Sequence, residues 1–329
     1  MIMDYSFWFH TGHLSLISHF ALTPPQYPKM TEASYIIVGV TAVISCLAIF
    51  WAKFRNQGSG TRPFLAEDKV VLVTGGLSGL GREIAELYRV QGAKVAILDI
   101  KDEASLPWVP NTMASKYYKC DVSDGSEVEA TLKKIGVALG NPDILINCAA
   151  MPINRLPFCE LQSESFARTI RTNLLGPVNL TRAVLPLLMQ STKRGSIVNI
   201  SSVVAHLYPA GLSDYVSSKA ALSALHHCLE AEARWFGYDK QVDFFLVEVG
   251  QMDTPLFSWI KPPNSLLAPV LEPRYVAEKV FAAVSSGGGR IIRLPKYAAW
   301  VCGYDMLPVP VQRFARYVMG VDEALENYK

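Results

Sequence analysis

The sequence predicts an α/β domain built on a doubly wound parallel sheet, and three observations carry that reading. From Lys69 onward, short runs of strand composition alternate with stretches of helical periodicity; most of the runs are apolar throughout; and a glycine-rich turn follows the first of them. Strands that alternate with helices pair in parallel and are covered on both faces, so each strand reads as a continuous apolar run.

In order, the runs are VVLV (70–73), VAIL (95–98), ILIN (144–147), SIVNI (196–200) and VDFFLVEV (242–249). Their length and β-branched content suit buried strands. Between them, residues 82–90 form a helix pattern, Phe166, Ile170, Leu174 and Val178 recur at steps of four, and Leu222, Leu225 and Leu229 follow Tyr215. The alternation fills most of the chain beyond Asp68 and predicts one core, over residues 68–295. No internal repeat or low-complexity segment interrupts it.

Ahead of this domain, residues 33–52 (ASYIIVGVTAVISCLAIFWA) carry no charge. A helix of that length rises ~30 Å, one hydrocarbon thickness. Tyr35 and Trp51 stand near its ends, and Lys53, Arg55 and Arg62 follow, against Lys29 alone before it. The positive-inside rule then puts the amino terminus in the lumen and the domain in the cytosol. A single-pass anchor is expected, in place of a cleaved signal peptide or a buried core helix. Residues 1–32 form an apolar and aromatic segment suited to an interface or half of a hairpin. Residues 53–67 are a linker that includes the flexible NQGSGTR.

Composition removes other classes. The formal charge is +2, from 31 Lys+Arg and 29 Asp+Glu, and no basic block could follow a phosphate backbone, so no nucleic-acid partner is expected. Six scattered cysteines lack metal-ligand spacing, and His10, His13 and His19 lack completing ligands; no metal is expected.

Immediately after the first strand comes Thr74-Gly75-Gly76-Leu77-Ser78-Gly79-Leu80-Gly81. Glycines at a strand-to-helix turn let the backbone approach a pyrophosphate, and the helix amino terminus supplies N–H groups and positive potential. The next strand ends in Asp99, where a carboxylate accepts from the adenosine ribose hydroxyls and repels a 2′-phosphate. NAD is favoured over NADP, tempered by Lys101 two residues on. Asp121 and Val122, after the third strand, are placed to meet the adenine.

Tyr215 and Lys219 lie four apart on one predicted helix face, where an ammonium beside a phenol favours the phenolate. Ser202, at the end of a buried strand, can hydrogen-bond a substrate oxygen. Pro177 lacks the N–H that would bond the Asn173 carbonyl, leaving that carbonyl free to hold a water on a path toward Lys219.

With these pieces in view, the chain resembles the short-chain dehydrogenase/reductase family from about Lys69 to Pro255. The resemblance rests on TGGLSGLG (74–81), Asp99, CDV (120–122), NCAA (147–150), TNLLG (172–176), NISS (199–202), YVSSK (215–219) and VGQMDTP (249–255). It implies a Rossmann-type fold and a tetrad of Asn173, Ser202, Tyr215 and Lys219, in which Tyr transfers the proton, Ser orients the substrate oxygen, and Lys holds the nicotinamide ribose and lowers the Tyr pKa. The implied cofactor contacts also include Asn147, Tyr215, Lys219 and Thr254. Two departures stand out: Cys148 and Ala150 where the family usually has Asn and Gly, and Val249 before Gly250 where it usually has Pro. Ala150 adds a Cβ near the cofactor, and Cys148 reads as a packed small residue.

Residues 256–273 (LFSWIKPPNSLLAPVLEP) suit a lipophilic substrate. The extension 296–329 places Trp300, Leu307, Val309, Val311, Phe314 and Val318 among Arg313 and Arg316, which resembles an interfacial helix over 296–320. Anchor, loop and tail are similar to the membrane-bound branch that includes retinol and 17β-hydroxysteroid dehydrogenases. The expected protein is a homodimeric enzyme of the endoplasmic reticulum or lipid droplets, with a cytosolic catalytic domain, oxidising a lipid alcohol with NAD. The alternatives are an NADPH-dependent lipid ketone reductase and a non-catalytic nucleotide-binding membrane scaffold. The sequons at Asn179 and Asn199 are expected to be unused.

Overall fold

The structure is a computed structural model that describes residues 66–67, 69–102, 114–257 and 269–322. The expected amino-terminal segment (1–32), membrane anchor (33–52) and nearly all of the linker (53–67) lie outside the described residues. Among the described residues, no helix is long and apolar enough to cross a membrane.

Seven parallel strands form one sheet: β1 (Val70–Thr74), β2 (Lys94–Asp99), β3 (Ser115–Lys119), β4 (Ile144–Asn147), β5 (Gly195–Ser202), β6 (Val242–Val249) and β7 (Arg290–Leu294). Their order is β3-β2-β1-β4-β5-β6-β7. The chain therefore winds outward in one direction from β1 and then in the other from β4, which makes the fold doubly wound as expected. Between β1 and β4 the direction reverses, and in such sheets ligands bind beyond the strand carboxyl ends at that point.

The helices are α1 (Gly79–Val90), α2 (Gly125–Ala138), α3 (Ser163–Ile170), α4 (Gly176–Gln190), α5 (Val204–Leu207), α6 (Ser213–Phe236), α7 (Pro273–Ser286), α8 (Ala298–Val301) and α9 (Val309–Met319). On one face of the sheet, Val71, Val73, Val95 and Phe245 pack with Ile84 and Tyr88 of α1 and Val276 and Val280 of α7. On the other, Leu72, Leu98, Leu145 and Ile197 pack with Ile135 of α2 and Leu180 and Val184 of α4. Successive strand residues alternate between these two clusters, which is why the central strands read as unbroken apolar runs.

Three local features differ from the sequence expectation. Residues 171–175 form a π-helical turn in which the Gly176 N–H reaches the Arg171 carbonyl, five residues back. Pro177, without an N–H, follows directly as the second residue of α4, which continues the helix from the π turn without a break. Strand β7 does not read as an apolar run because Arg290 and Arg293 interrupt its sequence. The tail over 296–320 is three pieces rather than one helix: α8, a 3₁₀ turn at Tyr304–Met306, and α9, separated by Gly303 and Pro308.

Candidate active site

At the end of β1 the chain turns sharply. The Gly75 N–H bonds the Leu98 carbonyl (2.8 Å), and Gly75 and Gly79 both take positive φ. A Cβ on Gly81 would stand 2.3 Å from the Gly75 carbonyl oxygen, so the turn closes only with glycine there. Helix α1 begins at Gly79 with no acidic side chain in its first turn, leaving its N–H groups and positive end open to an anion.

Beyond these strand ends lies a cavity of about 520 Å³. It is lined by Gly75, Ser78, Gly79, Leu80 and Gly81 of the turn, by Asp99, Lys101, Asp121 and Val122, and by Tyr215, Lys219 and Thr254, the last packed close to Gly79. The buried Asp99 carboxylate accepts from the N–H groups of Leu77 and Lys101, each at 3.3 Å, so it braces the glycine turn while it faces the cavity. The Thr254 hydroxyl, beside Gly79, is buried without a hydrogen-bond partner. An open helix terminus, a strand-end carboxylate and an unsatisfied hydroxyl in one cavity fit a dinucleotide.

Thr74 and Asn147 are buried behind the lining. Thr74 Oγ1 accepts from the N–H groups of Cys148 and Ala149, both at 3.0 Å. Asn147 Nδ2 donates to Asn199 Oδ1 at 2.8 Å, across the β4–β5 register that pairs the two residues. Both residues thus shape the β4 turn directly behind the cavity wall. Ala149 and Ala150 do line the cavity, and Cys148 behaves as a packed residue whose thiol burial pushes up to about 12.

The four expected catalytic residues converge from three places. Tyr215 and Lys219 come from α6, Ser202 from the end of β5, and Asn173 from the π turn. Lys219 Nζ donates to the Ile200 carbonyl at 2.8 Å and sits 5.7 Å from the Tyr215 ring centroid. Ser202 Oγ donates to the Val249 carbonyl at 3.1 Å. Asn173 Oδ1 accepts from the Met151 N–H (2.8 Å), its Nδ2 donates to Ser218 Oγ (3.0 Å), and Ser218 Oγ donates to the Tyr215 carbonyl (2.7 Å). The Asn173 side chain therefore ties the loop after β4 to the turn of α6 that bears Tyr215.

Burial pushes the Tyr215 phenol well above its ordinary value, opposed in part by a hydrogen bond with Ser202. Burial also lowers Lys219 to about 8, so the ammonium that was to stabilise a phenolate is itself costly to charge.

Asp214 was missed in the sequence. Buried at the start of α6, it accepts from Asn154 Nδ2 (2.5 Å), Thr169 Oγ1 (2.8 Å) and the Tyr215 N–H (2.8 Å). The available signal was a carboxylate one residue before the tyrosine at a helix start.

Comparison with known proteins agrees with this geometry: residues 69–264 match the short chain dehydrogenase family. The chain belongs to the short-chain dehydrogenase/reductase family. A relative described as the uncharacterized oxidoreductase TDA5 of Saccharomyces cerevisiae is 29% identical over 290 residues, covering 87% of each chain. The probable oxidoreductase EphD of Mycobacterium tuberculosis is 38% identical over 186 residues, which is 55% of this chain and 31% of that one. Among solved structures, the aldohexose dehydrogenase of Thermoplasma acidophilum superposes with a TM-score of 0.59 at 26% identity, covering 70% of this chain and 93% of that one. The 3-ketoacyl-(acyl-carrier-protein) reductase of Brucella melitensis, solved with NADH, superposes at 0.64 with 24% identity, over 70% and 97% of the two chains, and shows the shared fold. This short-chain dehydrogenase/reductase is an NAD(P)-dependent oxidoreductase.

Proposed function

We propose that this short-chain dehydrogenase/reductase oxidises a lipophilic secondary or allylic alcohol, of retinoid, steroid or related lipid type, with NAD. The observation that carries the substrate class is the wall around Tyr215. Its ring packs in a buried cluster with Ile153, Leu212 and Val216, against which Val204, Leu256 and Phe257 also pack. The Phe257 ring stands edge-on at 6.3 Å. Met151, Pro152, Met252 and Pro255 extend this apolar lining. A polar substrate would lose its hydration there without replacement hydrogen bonds, whereas an alkyl or isoprenoid chain gains from leaving water.

In that site the residues divide the work. Ser202 and Tyr215 hydroxyls hold the substrate oxygen, and Tyr215 takes the alcohol proton. The buried Lys219 ammonium, anchored on the Ile200 carbonyl, favours the phenolate form of Tyr215, which must be present before it can accept that proton and which becomes the neutral phenol as the hydride leaves. Bound nicotinamide supplies the hydride acceptor. Asn173, through Met151 and Ser218, keeps loop and helix in register while this happens.

Asp99 supports the preference for NAD, since its carboxylate repels a 2′-phosphate. Lys101, exposed beside it on the same cavity wall, favours the second reading, an NADPH-dependent lipid ketone reductase. The uncharged stretch 33–52 with its basic carboxyl-terminal flank supports a single-pass anchor, with the catalytic domain facing the cytosol from the endoplasmic reticulum or a lipid droplet. Homodimerisation is part of the same proposal. The test is initial rates on a panel of lipid alcohols and ketones with each cofactor, in membranes carrying wild type or Tyr215→Phe. NAD-linked oxidation lost in the variant supports the proposal; an NADP(H) preference favours the reductase, and turnover by neither cofactor favours a scaffold.

A further inference from the structure

Helix α9 is turned inside out for a surface helix of a water-soluble domain. Its polar Arg316 faces the protein, where the guanidinium donates to the carbonyls of Leu207 and Tyr208 and to Asp322. Its apolar side chains face outward: Val309, Val311, Phe314 and Tyr317 are exposed, and Met306 and Leu307 just before them continue the same apolar run. Phe314 is 68% and Tyr317 84% accessible. Globular helices ordinarily place these faces the other way round.

Charge selects what this face meets. Residues 306–320 contain no Asp or Glu. The nearby Asp305 accepts from the Tyr208 hydroxyl at 2.6 Å, and Asp322 accepts from Arg316 and from the Ala210 N–H, so both acids are engaged within the domain. Lys296 and Arg313 stay exposed. A second copy docking face to face about a two-fold axis would set Arg313 close to its own counterpart. An anionic lipid surface would accept the apolar side chains among its acyl chains and the bases at its headgroups.

We infer that residues 306–317 are a lipid-docking surface that seats on an anionic bilayer. Through Arg316 it bonds directly to the carbonyls of Leu207 and Tyr208, in the segment between Ser202 and Tyr215, so docking would set the catalytic cleft at a fixed height over the bilayer. The inference rests on the proposed membrane-associated role, and its test keeps the two separable.

The full chain is reconstituted in phosphatidylcholine vesicles, with and without phosphatidylserine, containing a trace of phosphatidylcholine bearing a photoactivatable acyl chain, and labelled peptides are mapped by mass spectrometry. The expected result is label within 306–317, raised by phosphatidylserine and reduced roughly tenfold in the triple variant V311S/F314S/Y317S, with NADH binding unchanged as the control for folding. Arg313→Glu should abolish the phosphatidylserine effect. Label confined to 33–52, or crosslinks joining 306–317 of two copies, overturns the inference. Label in 306–317 without label in 33–52 keeps it and refutes the anchor.

Discussion

The carboxylate of Asp214 accepts a hydrogen bond from the backbone N–H of Tyr215 at 2.8 Å, so the residue proposed to transfer the proton is held by the side chain that immediately precedes it. The same carboxylate takes Thr169 from α3 and Asn154 from the loop beyond β4. Three separate elements thus converge on one buried acceptor. Displacing Tyr215 by ~1 Å is enough to cost about a hundredfold in rate. Asp214→Asn, whose amide cannot accept all three bonds, is expected to lower kcat by roughly ten- to a hundredfold while the NADH dissociation constant stays within about twofold. Thr169→Val removes one bond and should show a smaller loss in the same parameter. Steady-state kinetics with direct NADH titration checks this, and an unchanged kcat in Asp214→Asn would remove Asp214 from the positioning scheme.

Lys219 links function to stability. Burial lowers it to about 8 from an ordinary value near 10.5, so between those values the unfolded chain binds the proton that the folded chain has released. Unfolding free energy contributed by this group therefore rises as pH increases from about 8 toward 10.5, and below 8 the folded protein carries the full cost of a buried charge. Lys219→Met is expected to abolish most turnover, by about a hundredfold or more, yet to raise the Tm of the cofactor-free protein at pH 7 by a few degrees. Calorimetry at pH 7 and pH 10 checks both signs; a variant less stable than wild type at pH 7 contradicts the burial argument.

How much of this was legible in the sequence depends on the range of the signal. The glycine turn, Asp99 and the Tyr215–Lys219 spacing are local patterns tied to a strand end or a helix face, and they fell where expected. Strand β7 was hidden because its arginines serve the tertiary structure: Arg293 Nε donates at 2.7 Å to Glu248 on β6, a residue 45 positions away. Asp214 was silent for the same reason, since Asn154 and Thr169 are distant in the chain. The burial of Tyr215 and Lys219 was not legible, because helical spacing reports proximity but not burial.

Gly81 tests the dinucleotide turn. Any Cβ there meets the Gly75 carbonyl oxygen at 2.3 Å, so Gly81→Ala must open the turn that presents the α1 terminus. Loss of NADH affinity by more than about tenfold, or ~1.4 kcal/mol, is expected from fluorescence titration. Wild-type affinity in this variant would mean the pyrophosphate lies elsewhere.

Glu248 predicts acid sensitivity. Burial works against its charge, but His206, at 2.7 Å, and Arg293 outweigh it and hold the carboxyl below its usual range. A carboxylate lowered by folding contributes stability above its unfolded pKa and loses it as pH falls through the folded value. Glu248→Gln should therefore lower stability at pH 7 by ~3 kcal/mol, the scale for breaking a buried pair, and flatten the acid limb of the stability profile below pH ~4.5. Denaturant melts across that range decide it; an unaltered acid limb would assign acid unfolding to other carboxylates.

The most direct measurement follows the hydride itself. A long-chain secondary alcohol deuterated at the carbinol carbon is incubated with the full chain in vesicles, with NAD and NADP in separate reactions, and the recovered nucleotides are analysed by mass spectrometry. Deuterium transferred into NADH, at least about tenfold faster than into NADPH and lost in Tyr215→Phe, is the predicted result. Transfer that favours NADP, or none from any lipophilic alcohol or to any lipophilic ketone, would contradict it.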